Sequence, residues 1–326
     1  MIEILLKEWI EQIKYYIHLI ADYSIKESQV GAVLDDVLNL SGKMLRSKLL
    51  LLCAFLGSNW KNNKEKICKL AAMVELTHLA SLIHDDIVDD SPYRRGKVSI
   101  QGKYGKDAAV FAGDFLMARI FYYGAVENLN EAVSILSKTV EYMCIGEIEQ
   151  DLCRYQEDIS EKKYFENIER KTAALFQAAS YIGAKESGCS EEIIQKLELF
   201  VKNLGLMFQL KDDILDFTSN SKELGKETHK DFQNGIYTFP VIMALKNPKA
   251  KEVLLPIMRK NKEEKLSLTE ILQLQNYIIQ FGGIEASYEK IKYLSNINRQ
   301  LIKKLGQNSK ITVYLEKILN DLEVEN

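Results

Sequence analysis

Proline is scarce in this chain, with four in 326 residues and none before Pro92. Proline breaks helices and central strands, so its scarcity permits long helices over the first 91 residues. Sustained period-two alternation of apolar and polar residues is also missing, as are Asn-Gly and Asp-Gly turns between β-branched runs. Those are the usual signs of strands and hairpins. Their absence excludes an all-β sandwich or barrel.

Cysteine, net charge and long apolar runs are equally limited. The five cysteines form no C-x-x-C pair, which favours free thiols in a reducing compartment over a disulfide framework or a zinc site. A net charge of -3 leaves no overall basic surface for nucleic acid. The longest apolar run, Leu49–Leu56, is far shorter than the ~20 residues that span a bilayer, and Glu3 interrupts the N-terminus. We therefore expect a cytoplasmic protein with no signal peptide, no transmembrane segment and no nucleic-acid partner.

What the sequence does contain is helical periodicity. Apolar residues recur at i, i+3, i+4 and i+7 over long stretches, which predicts amphipathic helices and an all-α fold. No Gly/Ser/Pro-rich linker or low-complexity tract divides the chain, so we predict a single domain over residues 1–326. We also expect Asp114, within an apolar stretch, to be buried. The predicted helical segments are 3–23, 64–90, 107–127, 131–155, 164–183 and 190–218.

Two short acidic stretches have the form D-D-x-x-D. The first occupies residues 85–89, directly after an apolar run, and the second occupies residues 212–216. In a helix, the first and last aspartates of each stretch lie about 5–6 Å apart on one face. Like charges at such short range cost roughly 1 kcal/mol per pair even in bulk water. A cation offsets that repulsion, and oxygen ligands suit Mg²⁺, which commonly binds one or two carboxylates together with substrate phosphates.

Basic residues lie close to these clusters in the sequence. Lys43 and Arg46 share the first turn of a predicted helix, where positive charge is unfavourable unless a polyanion binds there. Arg94 and Arg95 follow the first cluster, and adjacent guanidinium groups suit bidentate phosphate binding. Lysines also populate the polar loop after the second cluster. Taken one at a time, these charges are equally compatible with a phosphate site and with a solvated surface.

Several further polar positions share helix faces with the clusters or lie in helices of their own. His78 lies seven residues before the first cluster and Gln209 three before the second, so both project toward the carboxylates if the segments are helical. Lys171 and Thr172 open an alanine-rich segment whose small residues predict close helix packing. Glu147 is a candidate to support such a site. A satisfied core histidine and plain helix–helix polar contacts are the alternative interpretations.

Taken together, these residues resemble the trans-isoprenyl diphosphate synthase, or polyprenyl synthetase, family. The resemblance runs from about residue 38 to 245, and it is specific because five elements occur in the family's order. The elements are Gly42-Lys43-x-x-Arg46, His78, Asp85-Asp86-x-x-Asp89 with Arg94-Arg95-Gly96, Lys171-Thr172, and Phe208-Gln209-x-x-Asp212-Asp213-x-x-Asp216 followed by Gly225-Lys226. The family implies antiparallel helices around a central cavity, usually in a homodimer.

The resemblance also implies ligands and roles. It implies isopentenyl diphosphate and an allylic diphosphate as substrates, with three Mg²⁺ ions between the two aspartate motifs. By motif position, the main metal ligands are Asp85, Asp89 and Asp212, with Asp86, Asp213 and Asp216 close by or acting through water. The residues expected at the allylic diphosphate are Arg94, Lys171 and Lys226. Those expected at isopentenyl diphosphate are Lys43, Arg46, His78 and Arg95, and those expected to offer oxygens toward the cation are Thr172 and Gln209.

The implied reaction is ionisation, condensation and elimination. Metal ions and basic residues stabilise the departing diphosphate, the isopentenyl double bond attacks the allylic cation, and a proton is then lost. The small residues Ala80 and Ser81 before the first cluster favour a product of C20 or longer. Met117, Phe121 and Tyr122 are candidates to block the cavity deeper down, so a farnesyl diphosphate synthase is the alternative.

The chain departs from the family pattern at three positions. Ser41 replaces a glycine, Ser47 stands where proline often follows the arginine, and Ile236 stands where many members have a second lysine. Either Lys230 compensates for that lysine or the phosphate contact is absent. Competing interpretations are a class I terpene cyclase, a non-catalytic or catalytic subunit of a heteromeric synthase, and a plain metal-binding helical bundle. A non-catalytic subunit is expected to lose one aspartate motif, whereas this chain keeps both. The second D-D-x-x-D cluster argues against the cyclase, and the ordered basic residues argue against the bundle.

Overall fold

The computed structural model describes residues 2–22, 28–39, 42–94, 96–218, 230–306 and 310–323. Over these ranges the secondary structure is helical except for one short antiparallel hairpin, in which Tyr93–Arg94 (β1) pairs with Lys97–Val98 (β2). The predicted all-α fold is confirmed. The hairpin was not predicted, because two-residue strands carry no detectable alternation.

The helices before the hairpin are α1 (Ile2–Ile20), α2 (Gln29–Leu38), α3 (Leu45–Ala54) and α4 (Lys64–Val88). Those of the middle of the chain are α5 (Ile100–Tyr104), α6 (Lys106–Val126), α7 (Asn130–Leu152), α8 (Glu161–Ile168), a π-helix (Glu169–Ala173), α9 (Ala174–Glu186) and α10 (Glu191–Thr218). The last are α11 (Lys230–Gln233), α12 (Phe239–Ala244), α13 (Pro248–Glu263), α14 (Leu268–Gln280), α15 (Gly283–Leu305) and α16 (Lys310–Leu322).

The predicted helical segments match these bounds to within a few residues, with one exception. The segment predicted over 164–183 consists of α8, the π-helix and α9 in succession. Lys171 and Thr172 therefore lie inside the π-helix and do not open an α-helix. A π-helix inside a longer helical run often marks a functional site.

The chain divides into two compact units. Unit 1 comprises Met1–Val140, Leu175–Leu199 and Ser309–Ile311, and unit 2 comprises Glu141–Ala174, Phe200–Asn308 and Thr312–Asn326. The first aspartate cluster belongs to unit 1 and the second to unit 2. The single domain over residues 1–326 stays a prediction.

The core of unit 1 is built around α4, which packs against α1, α3 and α6. The apolar residues of α3 from Leu49 to Ala54 are all fully buried, and each such aliphatic side chain contributes about 1.5–3 kcal/mol. The Trp9 indole meets the Phe55 ring edge-on, with centroids 5.0 Å apart. This packing holds the helix that ends in the first aspartate cluster.

The predicted free thiols are confirmed for all five cysteines. Burial raises the pKa of both Cys53 and Cys68 to about 12, so these two stay protonated.

Two of the described helices, α4 and α6, are long and apolar enough by composition to cross a membrane. In α4, 72% of the most apolar window is buried inside the protein, as is usual for a core helix; in α6 the share is 39%. Length and composition alone are weak evidence for a membrane span. The expected absence of a transmembrane segment stays a prediction.

The core of unit 2 is formed where α12 packs against α8, α14 and α15. Two buried asparagines connect α10 with α15: Asn203 donates to Asn298 Oδ1 at 2.9 Å, and Asn298 donates to the Phe200 carbonyl at 3.0 Å. Buried polar groups of this kind must be hydrogen-bonded. They fix the register of α10, the helix that carries the second aspartate cluster.

Candidate active site

The first aspartate cluster lies at the C-terminal end of α4. Asp85 and Asp89 are half-buried, whereas Asp86 is only 3% exposed. Successive residues of a helix point about 100° apart, so Asp86 faces inward where its neighbour does not. Arg94 Nε donates to Asp86 Oδ1 at 2.7 Å, and Gln101 donates to the Asp86 carbonyl at 2.5 Å. These two bonds tie the hairpin and α5 to the end of the aspartate helix.

The residue before the cluster, His84, packs against the backbone of α6. A Cβ atom built on Gly113 would lie 2.3 Å from His84 Nε2, so a larger residue there would force the imidazole to move. His84 Nε2 also lies 3.4 Å from Asp114 Oδ1, and the Asp114 side chain is 63% exposed. The prediction that Asp114 is buried was wrong, because α6 turns this residue toward solvent beside the imidazole.

The basic residues predicted upstream lie at the start of α3. Lys43 is exposed, and the Arg46 guanidinium lies 4.5 Å from the centroid of the Phe176 ring. Ser47, which departs from the family's proline, is fully buried and donates to Glu75 Oε2 at 2.8 Å. Glu75 is itself buried in α4, three residues before the half-buried His78. The serine thus supplies a donor to a buried carboxylate that proline could not supply.

The second aspartate cluster lies near the C-terminal end of α10. Asp212 is exposed and Asp216 is half-buried, whereas Asp213 is 1% exposed. Two side chains bond to the buried carboxylate: Tyr164 OH donates to Oδ2 at 2.5 Å, and Gln209 Nε2 donates to Oδ1 at 2.9 Å. Burial raises the pKa of Asp213 to about 7, although both of these hydrogen bonds act to lower it. Burial and the nearby carboxylate also raise the pKa of Tyr164, so its hydroxyl stays a donor.

Thr172 and Gln209 meet directly. Thr172 Oγ1 donates to Gln209 Oε1 at 3.0 Å, so the Gln209 amide accepts on its oxygen and donates from its nitrogen. The π-helix that carries Thr172 lies close to α10, since a Cβ on Gly205 would be 2.8 Å from Ala173. The predicted close helix packing is confirmed at this point.

Lys171 forms an ion pair across to α7. Its Nζ lies 3.0 Å from Glu147 Oε2, and both side chains are about one-third exposed. The neighbouring Arg170 pairs with Glu149, and Asn167 donates to the Gly146 carbonyl at 2.7 Å. The end of α8 and the π-helix are therefore held to α7 by three side chains. Two other predicted phosphate ligands, Arg95 and Lys226, lie outside the described residues.

The two aspartate clusters share one plan, which is the same order of buried and accessible aspartates. In each, the second aspartate is buried and accepts a hydrogen bond from a protein side chain, whereas the first and last aspartates are accessible or half-accessible. Within the described ranges, no group of three or more potential ligands is assembled for a metal ion. A few accessible carboxylates fit Mg²⁺ ions whose coordination is completed by substrate phosphates.

Sequence reasoning missed Tyr164, because nothing in the local sequence connects it to an aspartate 49 residues away. It also misplaced Tyr122. That side chain is 61% exposed, with the Arg119 guanidinium 5.5 Å from its ring centroid, so it lies on the surface of α6 and does not block a cavity. Met117 and Phe121 are half-buried.

The polyprenyl synthetase family model matches residues 27–275. The chain is 38% identical over 230 residues to heptaprenyl diphosphate synthase component 2 of Bacillus subtilis (strain 168), covering 71% of this chain and 65% of that protein. It is 34% identical to the protein of the same description from Geobacillus stearothermophilus, covering 80% of each. The structure of a polyprenyl synthase from Caulobacter crescentus CB15, complexed with calcium and isoprenyl diphosphate, superposes with a TM-score of 0.87 at 28% identity, covering 98% of this chain and 96% of that one. This chain therefore belongs to the polyprenyl synthetase family and is a prenyltransferase.

Proposed function

We propose that the chain condenses an allylic diphosphate with isopentenyl diphosphate, head to tail and with Mg²⁺, to an all-trans polyprenyl diphosphate of C20 or longer. The observation that carries the proposal is the plan shared by the two aspartate clusters. In each cluster the second aspartate is buried, whereas the first and last are at least partly exposed to solvent. Relatives named heptaprenyl diphosphate synthase support a long product.

Asp85, Asp89, Asp212 and Asp216 are the residues that would hold the metal ions. Bound Mg²⁺ would take up negative charge as the C–O bond of the allylic diphosphate breaks. The calcium and isoprenyl diphosphate in the Caulobacter protein support a divalent ion beside a prenyl substrate. Asp86 and Asp213 would act by holding Arg94 and Gln209 in place.

The basic residues would bind the two diphosphates in separate places. Lys171 is held by Glu147 at 3.0 Å, which sets the position of its ammonium group for the allylic diphosphate. Arg94 is oriented by Asp86 for the same ligand. Lys43, Arg46 and His78 would bind isopentenyl diphosphate. Lys43 is exposed at the start of α3, and the Arg46 guanidinium is steadied on the Phe176 ring.

A product of C20 or longer requires room beyond the first cluster. Ala80 is fully buried and has the smallest side chain after glycine, and Ser81 beside it is half-buried. Neither would stop a growing chain as an aromatic side chain would. Met117 and Phe121 on α6 remain candidates to limit its length.

A specific observation favours one second candidate, the catalytic subunit of a heteromeric synthase. Both relatives described above are named as component 2 of their enzyme, which indicates that a second component exists for those proteins. We propose a homodimer in the cytoplasm as the principal form of this chain, and the heteromer as the alternative.

The deciding experiment is mass analysis of the lipids formed by the purified chain with Mg²⁺, isopentenyl diphosphate and farnesyl diphosphate. We expect a defined product of C20 or longer, and omission of Mg²⁺ should abolish it. No product from a folded chain would contradict the proposal for the chain alone. Geranylgeranyl diphosphate without isopentenyl diphosphate then separates a cyclase, which would give a hydrocarbon, from a subunit that lacks its partner.

A further inference from the structure

Within unit 2, four side chains form one continuous series of hydrogen bonds. Tyr164 OH donates to Asp213 Oδ2 at 2.5 Å, Gln209 Nε2 donates to Asp213 Oδ1 at 2.9 Å, and Thr172 Oγ1 donates to Gln209 Oε1 at 3.0 Å. Tyr164, Asp213 and Thr172 are buried, and Gln209 is half-buried. The series therefore runs from the interior at Tyr164 to the predicted catalytic hydroxyl at Thr172.

The direction of each bond follows from the chemistry of the groups. The Gln209 amide nitrogen can only donate, and the Asp213 oxygens accept from it and from the Tyr164 hydroxyl. Because the Gln209 nitrogen faces the carboxylate, its oxygen must face the other way, toward Thr172. Thr172 in turn gives its single hydroxyl proton to that oxygen. Its lone pairs are then left for another partner.

The aromatic ring of Tyr164 packs against two phenylalanine rings. Its centroid lies 5.2 Å from that of Phe165 and 5.5 Å from that of Phe239. The Phe239 backbone N–H also approaches Asp213 Oδ2, at 3.5 Å. A buried carboxylate that loses one of its donors is left under-solvated, so we expect Asp213 to reorient when the Tyr164 hydroxyl is removed.

We infer that Tyr164 is a positioning residue for the condensation: acting through Asp213 and Gln209, it orients the Thr172 hydroxyl so that its oxygen lone pairs face the developing allylic cation. The inference rests on the proposed function, since it assumes that a cation forms beside Thr172. It gives Asp213 a structural place inside the protein and leaves metal binding to the accessible aspartates. It also assigns a role to a residue that no motif contains.

The test compares Tyr164→Phe with Tyr104→Phe. Tyr104 OH donates to Asp36 Oδ2 at 2.6 Å in unit 1, so the control deletes a hydrogen bond of the same chemistry outside both clusters. We expect Tyr164→Phe to lower kcat about tenfold, which corresponds to about 1.4 kcal/mol of barrier, with KM for both diphosphates within threefold. Tyr104→Phe should leave kcat and both KM values within twofold. A Tyr164→Phe enzyme with kcat within twofold of wild type would overturn the inference.

A double-variant cycle separates positioning from a general loss of structure. In the Thr172→Ala background, Tyr164→Phe should change kcat less than twofold, because the hydroxyl it orients is gone. In the Thr172→Ser background, which keeps a hydroxyl, Tyr164→Phe should again lower kcat about tenfold. Effects that multiply in Thr172→Ala would show that Tyr164 acts independently of the Thr172 hydroxyl, and would contradict the inference.

A readout independent of turnover is the ¹⁵N–¹H signal pair of the Gln209 side-chain amide, which senses its hydrogen bond to Asp213. Tyr164→Phe should shift this pair, and Tyr104→Phe should not. Unchanged Gln209 signals would contradict the positioning series even in an active enzyme. Conversely, a wild-type chain that forms no prenyl product contradicts the proposed function while the Gln209 shift is still observed, so the two failures are distinguishable.

Discussion

Arg94 and Asp86 form a bond between groups that are almost removed from water. Arg94 Nε lies 2.7 Å from Asp86 Oδ1, with the two side chains 18% and 4% exposed. In unit 2, the neutral Tyr164 hydroxyl donates to Asp213, the corresponding aspartate of the second cluster. The three aspartates of each motif are therefore not equivalent, since the second is buried and the first and last are at least partly exposed.

This division predicts opposite effects for neighbouring substitutions. Asp86→Asn removes the charge that Arg94 pairs with, and breaking a buried pair costs on the order of 3 kcal/mol. Asp85→Ala and Asp212→Ala should instead lower kcat by orders of magnitude while the free energy of unfolding stays within about 1 kcal/mol. Urea unfolding and steady-state kinetics on the three variants provide the check. Full activity in Asp85→Ala or Asp212→Ala would contradict the assignment of that aspartate as a metal ligand.

The same division predicts how the metal and the diphosphate bind. Accessible carboxylates alone should bind Mg²⁺ weakly, and the phosphate oxygens should complete the site. A ligand stabilises a protein in proportion to RT ln(1 + [L]/Kd). The melting temperature should therefore rise more with Mg²⁺ and a non-hydrolysable allylic diphosphate analogue together than with the sum of the two separately. Asp85→Ala should abolish this synergy, and a simple sum in wild type would contradict joint binding.

The hydrogen bond from Ser47 to Glu75 leads to a prediction about the stability of the protein. Ser47→Ala deprives the buried Glu75 carboxylate of the donor at 2.8 Å, which should cost about 1–3 kcal/mol. Ser287→Ala is a matched control, because Ser287 is equally buried and, among the described residues, its hydroxyl donates to the Gly283 carbonyl of its own helix. Chemical denaturation of both variants should show the larger loss at Ser47. Equal losses would mean that the bond to Glu75 adds nothing to the burial of a hydroxyl.

The helices were predictable because their cause is local. Apolar spacing and the absence of proline placed α1, α4, α6, α7 and α10 to within a few residues of their observed ends. The π-helix was not predictable. It keeps the apolar spacing of its neighbours almost unchanged, and the close approach of Gly205 to Ala173 that accompanies it joins residues 32 positions apart.

The site was predictable as a set of residues but not as an arrangement. Motif spacing places all three aspartates of a cluster near one end of a helix, yet it does not show which of them is buried. That depends on Arg94 in a hairpin with no sequence signature and on Tyr164 in another helix. Arg94 was expected only as a phosphate ligand. Its pairing with Asp86 is a tertiary contact, as is the bond from Ser47 to Glu75.

The capping box at the start of α14 predicts a pH dependence of stability. Glu270 accepts a hydrogen bond from Lys260 Nζ at 2.6 Å and others from the Ser267 hydroxyl and N–H. The Lys260 bond, followed by those from Ser267, lowers the pKa of Glu270 from 4.5 to about 2. Since the folded-state pKa is depressed, this stabilisation is fully present above about pH 4.5 and is lost as the pH falls toward 2.

Urea midpoints of wild type and Glu270→Gln should differ at pH 7 and converge as the pH is lowered from 5 to 3. Glu252→Gln on the exposed face of α13 serves as the surface control, and a gap between wild type and Glu270→Gln that stays constant over this range would contradict the assignment.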